Sequence, residues 1–163
     1  MNYHNITKDD MLNGEGLRVV LWVAGCTHHC PKCHNPQTWD INSGVKFDED
    51  AKVELFETLK KDYISGITLS GGDPLHPYLV NDIAQLVEEI KTKFQDKTIW
   101  LYTGFLFEDI SSIPFIKDVD VIVDGKFEID QLDVQAYWKG STNQRVIDVK
   151  KSLKEKQVIL YQD

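Results

Sequence analysis

Cys26, Cys30 and Cys33 are the three cysteines of the chain, and they fall within eight residues in a C-x3-C-x2-C pattern. Three thiolates on one short loop can hold zinc or an iron–sulfur cluster while leaving one metal valence open. A disulfide framework does not suit them. The count is odd, and the first fifteen residues are too polar for a secretory segment, so reduced thiols in the cytoplasm are expected. Zinc could close on these cysteines with His28, His29 or His34. Structural zinc sites, however, draw ligands from two separated pairs, and there is no second pair in the chain. A cluster held by three cysteines with one iron left for a substrate fits the spacing better.

Those thiols need a scaffold. The almost continuously apolar run from Leu17 to Ala24 reads as a parallel strand covered on both faces, which puts the cysteine loop at its C-terminal end. Residues 1–16 read as an irregular lead-in, with Asn13-Gly14 and Gly16 serving turns. Asp48 caps an expected helix to about Tyr63, with Val53, Phe56, Leu59 and Tyr63 as its stripe. A second strand, Gly66–Leu69, runs into Ser70-Gly71-Gly72-Asp73-Pro74. A helix over 77–94 follows, with Leu79, Ile83, Leu86, Ile90 and Phe94 at helical spacing.

The third strand is Thr98–Tyr102, ending in Thr103-Gly104. A helical stretch over 105–115 breaks at Pro114, and a fourth strand, Val119–Val123, leads into Asp124-Gly125-Lys126. Only eight residues separate Val149 from Val158, fewer than the roughly ten or twelve a helical crossover needs, so Val158–Tyr161 should return antiparallel or lie at an edge. The pattern predicts an α/β protein: a truncated open (βα) barrel of five or six mostly parallel strands, in one domain over residues 1–163.

Each further candidate group follows a strand's C-terminal end, where βα folds place their chemistry. Gly71 and Gly72 let backbone approach a ligand, and the loop carbonyls and the Asp73 carboxylate can accept from an ammonium group. Tyr102 and Thr103 end the third strand, and Asp124 and Lys126 end the fourth, where a solvated turn is the plainer reading. Asn143, Gln144 and Arg145 could grip a carboxylate or a partner protein, or lie in an ordinary polar loop. His76, Trp39, Tyr137 and Trp138 read as helix-start and packing residues. No paired-carboxylate or Ser-His-Asp arrangement stands out. The net charge of −8 argues against a nucleic-acid binder. No apolar run approaches the roughly 18 residues of a membrane span.

The C-x3-C-x2-C loop after the first long apolar strand resembles the cluster motif of the radical S-adenosylmethionine superfamily. With Asn13-Gly14-Glu15-Gly16 and Arg18 upstream and Cys33-His34-Asn35-Pro36-Gln37-Thr38-Trp39 downstream, the chain from Tyr3 to about Val149 resembles one subfamily, the activating proteins of anaerobic ribonucleoside-triphosphate reductase. The resemblance implies a 4Fe-4S cluster on Cys26, Cys30 and Cys33, with S-adenosylmethionine on the fourth iron. It also implies reductive cleavage to a 5'-deoxyadenosyl radical that takes hydrogen from a glycine of the reductase. The expected partners are that reductase and a flavodoxin or ferredoxin as electron donor. Gly71-Gly72-Asp73-Pro74 resembles the superfamily's Gly-Gly-Glu-Pro element, with a shorter acid at Asp73. Asp124-Gly125-Lys126 resembles the Asp-x-Lys element of glycyl-radical activating enzymes. Lys32 stands where the superfamily usually carries an aromatic, so Lys32 and His34 are expected to contribute backbone contacts. Activation of another glycyl-radical enzyme, or a non-catalytic zinc-binding module, are the alternatives.

Overall fold

The computed structural model describes residues 1–162. In chain order its first half contains β1 (Asn2–Asp10), β2 (Arg18–Val23), β3 (Val45–Lys46), α1 (Glu49–Leu59), β4 (Gly66–Gly71) and α2 (Val80–Lys93). The second half adds β5 (Thr98–Tyr102), α3 (Phe107–Ile110), β6 (Val121–Asp124), β7 (Arg145–Asp148) and α4 (Val149–Glu155). The strands make one seven-stranded sheet in the order β3-β1-β2-β4-β5-β6-β7. Its centre is parallel, β2 to β4 to β5 to β6, while β1 pairs antiparallel with β2, β3 antiparallel with β1, and β7 antiparallel with β6.

Alternation along the parallel strands sorts the side chains by face. Val19, Leu21 and Val23 of β2, Ile67 and Leu69 of β4, and Ile99 and Leu101 of β5 join Leu55 and Leu59 of α1 and Ile83, Leu86, Val87 and Ile90 of α2 in the main core. The residues between them take the other face. There Trp100, Val121 and Val123 form a smaller cluster with Tyr102, Trp138, Val146 and Tyr161. Arg18 is 1% exposed on this face. Its guanidinium donates to Thr68 Oγ1, Thr98 Oγ1 and the carbonyls of Glu15, Ile67 and Thr98, all at 2.9–3.0 Å, and sits 5.5 Å from the Trp100 ring centroid. Burial without a carboxylate partner pushes its pKa down to about 10, which still leaves it charged at neutral pH.

Four expectations need correction. Residues 1–16 are not merely a lead-in: β1 occupies most of them. Its sequence carries no apolar alternation, with Ile6 alone buried, because its order comes from backbone pairing to β2. The sheet therefore has seven strands rather than five or six. Helix α1 begins as expected, with the Asp48 side chain accepting from the Ala51 amide, but it ends at Leu59. It buries Ala51, Leu55, Thr58 and Leu59, while Val53 and Tyr63 of the expected stripe are 56% and 54% exposed. The helical stretch expected over 105–115 is only α3, which ends at Ile110, and Pro114 instead opens a 3-10 turn. The antiparallel return expected over 158–161 is present, as a single bridge from Leu160 to Ile147. The two longest parallel strands and the helix over 80–93 follow the sequence reading.

Candidate metal and cofactor site

Strand β2 ends at Val23, and the chain leaves it through Gly25 at φ +122° into the cysteine loop. The loop is held at its base by Gly25 N donating to Thr38 O (2.7 Å) and Cys26 N to Trp39 O (3.1 Å). His29 and Lys32 both adopt left-handed backbone, at φ 49° and 60°, which is uncommon for residues with a Cβ. The resulting coil points a backbone N–H group at sulfur. Asn35 N donates to Cys33 Sγ at 3.3 Å. The backbone of His28 and His29 lies beside the Cys26 sulfur, and that of Phe127 beside the Cys30 sulfur. Burial pushes the Cys26 and Cys30 thiols up, and these backbone contacts pull the other way.

The three cysteines line a cavity of about 570 Å³ at the C-terminal end of the parallel strands. Trp22 of β2, Ser70 of β4 and Tyr102 of β5 also line it, and all three sit on the face opposite the helices. Gly71, Gly72, Thr103, Gly104, Gly125 and Lys126, from the loops after β4, β5 and β6, close its sides. The glycines are needed for contact. Gly71 sits at φ +104°, and a Cβ there would come within 2.5 Å of Val23 N. One on Gly72 would strike Gly25 O. The Lys126 ammonium makes no hydrogen bond or ion pair with a described residue, and its charge acts on Cys30.

Two acids singled out by sequence lie behind the cavity wall. Asp73 is 2% exposed. Its Oδ2 accepts from His28 Nε2 (2.6 Å), Thr103 Oγ1 (3.0 Å) and Gly104 N (2.9 Å), and its Oδ1 from Leu75 N (2.9 Å). Asp124 is fully buried, accepting from Phe107 N (2.8 Å) and from Arg145 Nε and Nη2 (3.0 and 2.5 Å). Arg145 also reaches Glu108 (2.6 Å), so it pairs with carboxylates of its own chain. Lys32 is exposed and outside the cavity lining, whereas His34 lines it and packs on Phe127 with centroids 4.8 Å apart.

The segment from Lys126 to Gln144 covers one side of the cavity, contributing Phe127, Leu132, Val134, Trp138 and Gly140 to its lining. Gln144 holds it down: Oε1 accepts from Gly140 N (2.9 Å) and Ser141 N (3.2 Å), and Nε2 donates to Gly125 O (2.9 Å). Asn143 Nδ2 donates to Lys126 O (2.8 Å), and Tyr102 Oη donates to Trp138 O. Asn143 and Gln144 thus act within the chain. Sequence reasoning missed His28 as a hydrogen-bond partner, and it missed Phe127 and Trp138 as lining residues. A histidine between two candidate ligand cysteines, and an aromatic directly beside each of Lys126 and Lys139, were the available signs.

The donor set suits a cluster. The three thiols are soft ligands, and Cys33 Sγ receives a backbone N–H from Asn35, the kind of bond by which proteins tune iron–sulfur centres. Of the histidines near them, His28 has its Nε2 on Asp73, the His29 ring stacks on Trp39 at 4.5 Å and His34 packs on Phe127. Among the described residues no three His, Cys, Asp or Glu side chains, these cysteines included, are already gathered closely enough to hold a metal ion. This is an iron–sulfur α/β domain by class: the family described as "4Fe-4S single cluster domain" matches residues 12–147. The chain is 47% identical over 146 residues to the anaerobic ribonucleoside-triphosphate reductase-activating protein of Enterobacteria phage T4, covering 90% of this chain and 93% of the relative. It is 40% identical to the protein of that name from Vibrio cholerae (88% and 96% covered) and 41% identical to that from Escherichia coli K12 (90% and 97%). The chain belongs to the family of anaerobic ribonucleoside-triphosphate reductase-activating proteins.

Proposed function

We propose that the chain activates an anaerobic ribonucleoside-triphosphate reductase as a radical S-adenosylmethionine enzyme, its sheet being a truncated open barrel of that type within one domain. Cys26, Cys30 and Cys33 would hold three irons of a 4Fe-4S cluster and leave the fourth for the amino and carboxylate groups of S-adenosylmethionine. The chemistry supplied with both groups bound is one-electron cleavage of the sulfonium to methionine and a 5'-deoxyadenosyl radical, which takes hydrogen from a glycine of the reductase. No side-chain acid or base is required.

The observation that carries this reading is that all three cysteines share one cavity with the Gly71-Gly72 loop, Thr103 and Lys126. The chain's own work is binding, orientation and exclusion of water. The Gly71 and Gly72 backbone can approach the cofactor's amino group, for which Asp73, already surrounded by protein donors, is not free. Lys126 offers an unpaired cation to a carboxylate. Trp22, Tyr102 and Trp138 give the cavity aromatic walls beside its polar groups, as small-molecule sites commonly have. Among the described residues no helix is long and apolar enough to cross a membrane. We infer a cytoplasmic enzyme of deoxyribonucleotide synthesis, reduced by a flavodoxin or ferredoxin.

The test is low-temperature electron paramagnetic resonance on anaerobically reconstituted, reduced protein, followed by mixing with the reductase. A 4Fe-4S signal that changes when S-adenosylmethionine is added, and a glycyl radical on the reductase afterwards, are expected. A cluster indifferent to S-adenosylmethionine, or tightly held zinc in place of iron, would overturn the reading.

A further inference from the structure

We propose that His28 and Asp73 are positioning residues whose hydrogen bond fixes the cysteine loop against the loops of the cofactor pocket; this rests on the reading that Cys26, Cys30 and Cys33 hold the cluster. His28 lies between two of those cysteines, and its Nε2 donates to Asp73 Oδ2 at 2.6 Å, with the two side chains 7% and 2% exposed. The same carboxylate collects Thr103 Oγ1, Gly104 N and Leu75 N. One buried group therefore ties together the loops after β2, β4 and β5, three of the walls of the cavity.

The imidazole is wedged as well as bonded. Its centroid is 4.6 Å from that of Phe105, at 71°. A Cβ on Gly104 would come within 2.6 Å of its Cδ2, so this glycine makes room for the ring. The shorter acid matters here. Asp73 keeps its carboxylate at the root of the loop, behind the wall, where every donor it meets belongs to the protein. Removing the imidazole would leave the cysteine loop its backbone anchors at Gly25 and Cys26 and the packing of His34 on Phe127, but would take away its side-chain hydrogen bond to the loop after β4. The cluster could still assemble, yet its open iron would no longer be held at one distance from the Gly71-Gly72 loop. Ligand-orienting partners of this kind act on the function of a metal centre without touching the metal.

The test uses the full chain, reconstituted anaerobically, as wild type, His28→Ala, His28→Gln and Asp73→Asn. The readouts are iron per chain, the spectrum of the reduced cluster titrated with S-adenosylmethionine, and amide hydrogen exchange of the apoprotein. His28→Ala is expected to bind iron as wild type does but to need about 10- to 100-fold more S-adenosylmethionine for the same spectral change. His28→Gln, which keeps a side-chain N–H donor, is expected to recover most of that loss, and Asp73→Asn to resemble His28→Ala. A wild-type titration in His28→Ala, or a His28→Gln no better than His28→Ala, would overturn the proposal. If His28→Ala takes up no iron, the Asp73→Asn titration decides in its place. If the wild-type cluster ignores S-adenosylmethionine, the function proposed above fails instead. The tether is then judged by exchange in the apoprotein, where Gly104 N–H and residues 26–35 should exchange faster in His28→Ala. Unchanged exchange would overturn it.

Discussion

Replacing Arg145 with alanine should destabilise the apoprotein through Asp124. The Asp124 side chain is fully buried, and Arg145 supplies two of its three donors while remaining 30% exposed itself. Stripping one partner from a buried ion pair costs about 3–5 kcal/mol, because a charge is left in a poor solvent. Here Phe107 N–H still donates at 2.8 Å, and the partly open Arg145 site admits water, so the lower end, about 3 kcal/mol, applies. With a urea m-value of about 2 kcal/mol/M, the unfolding midpoint falls by about 1.5 M. Circular dichroism against urea, on cluster-free protein, reads this directly. Adding Asp124→Asn to Arg145→Ala should restore part of the loss, since a neutral amide is cheaper to bury than a carboxylate. Glu108→Gln removes only an exposed pair and should cost about 0.5 kcal/mol. The hydrogen bond from Arg145 holds the Glu108 pKa below its ordinary value. Its small contribution is therefore present above the unfolded carboxylate value of about 4.3 and is lost as pH falls through the folded one. A midpoint for Arg145→Ala within about 0.2 M of wild type, or a Glu108→Gln loss as large, would refute the reasoning.

Cys26→Ala, Cys30→Ala and Cys33→Ala should each lose bound iron and visible absorbance while the apoprotein melts as wild type, since the core is closed without metal; a large fall in melting temperature would contradict this. Gly71→Ala places a Cβ at φ +104° against Val23 N. The expected cost, read by denaturant titration, is about 1–3 kcal/mol. Gln144→Ala frees three hydrogen bonds that pin the 126–144 segment, and limited proteolysis should then cut within it at protease levels that leave wild type intact.

The cysteine loop and the strand–loop–helix rhythm were legible in sequence because their signals are local. Three ligands lie within eight residues, β2 is an apolar run, and α2 repeats at helical spacing. Strand β1 was not legible, since Asn2–Asp10 owes its extended form to antiparallel pairing with β2 and carries no pattern of its own. Burial of Asp73 and Asp124 was equally hidden. Asp124 sits in a turn that reads as solvated and Asp73 in a loop that reads as facing a ligand, and the partners that bury them, Arg145 and His28, lie 21 and 45 positions away. Motif position correctly brought Gly71, Gly72, Thr103 and Lys126 to one cavity. It could not say which side chains face inward and which hold the wall, because that depends on the pleat and on contacts between distant loops.

The antiparallel margins of the sheet have a further consequence for how the chain meets identical copies of itself. Exposed strand edges invite other chains to add on. Beyond the two residues of β3, the outer edge of β1 ends in Lys8-Asp9-Asp10, with breaks in register before Asn5 and before Asp10 and a left-handed Asp9 at φ 58°. Charge and a kinked backbone make this a poor template for fibre-like growth. The four strands whose C-terminal ends meet the cavity, β2, β4, β5 and β6, are interior to the sheet, so a collision at its rim does not reach their edges.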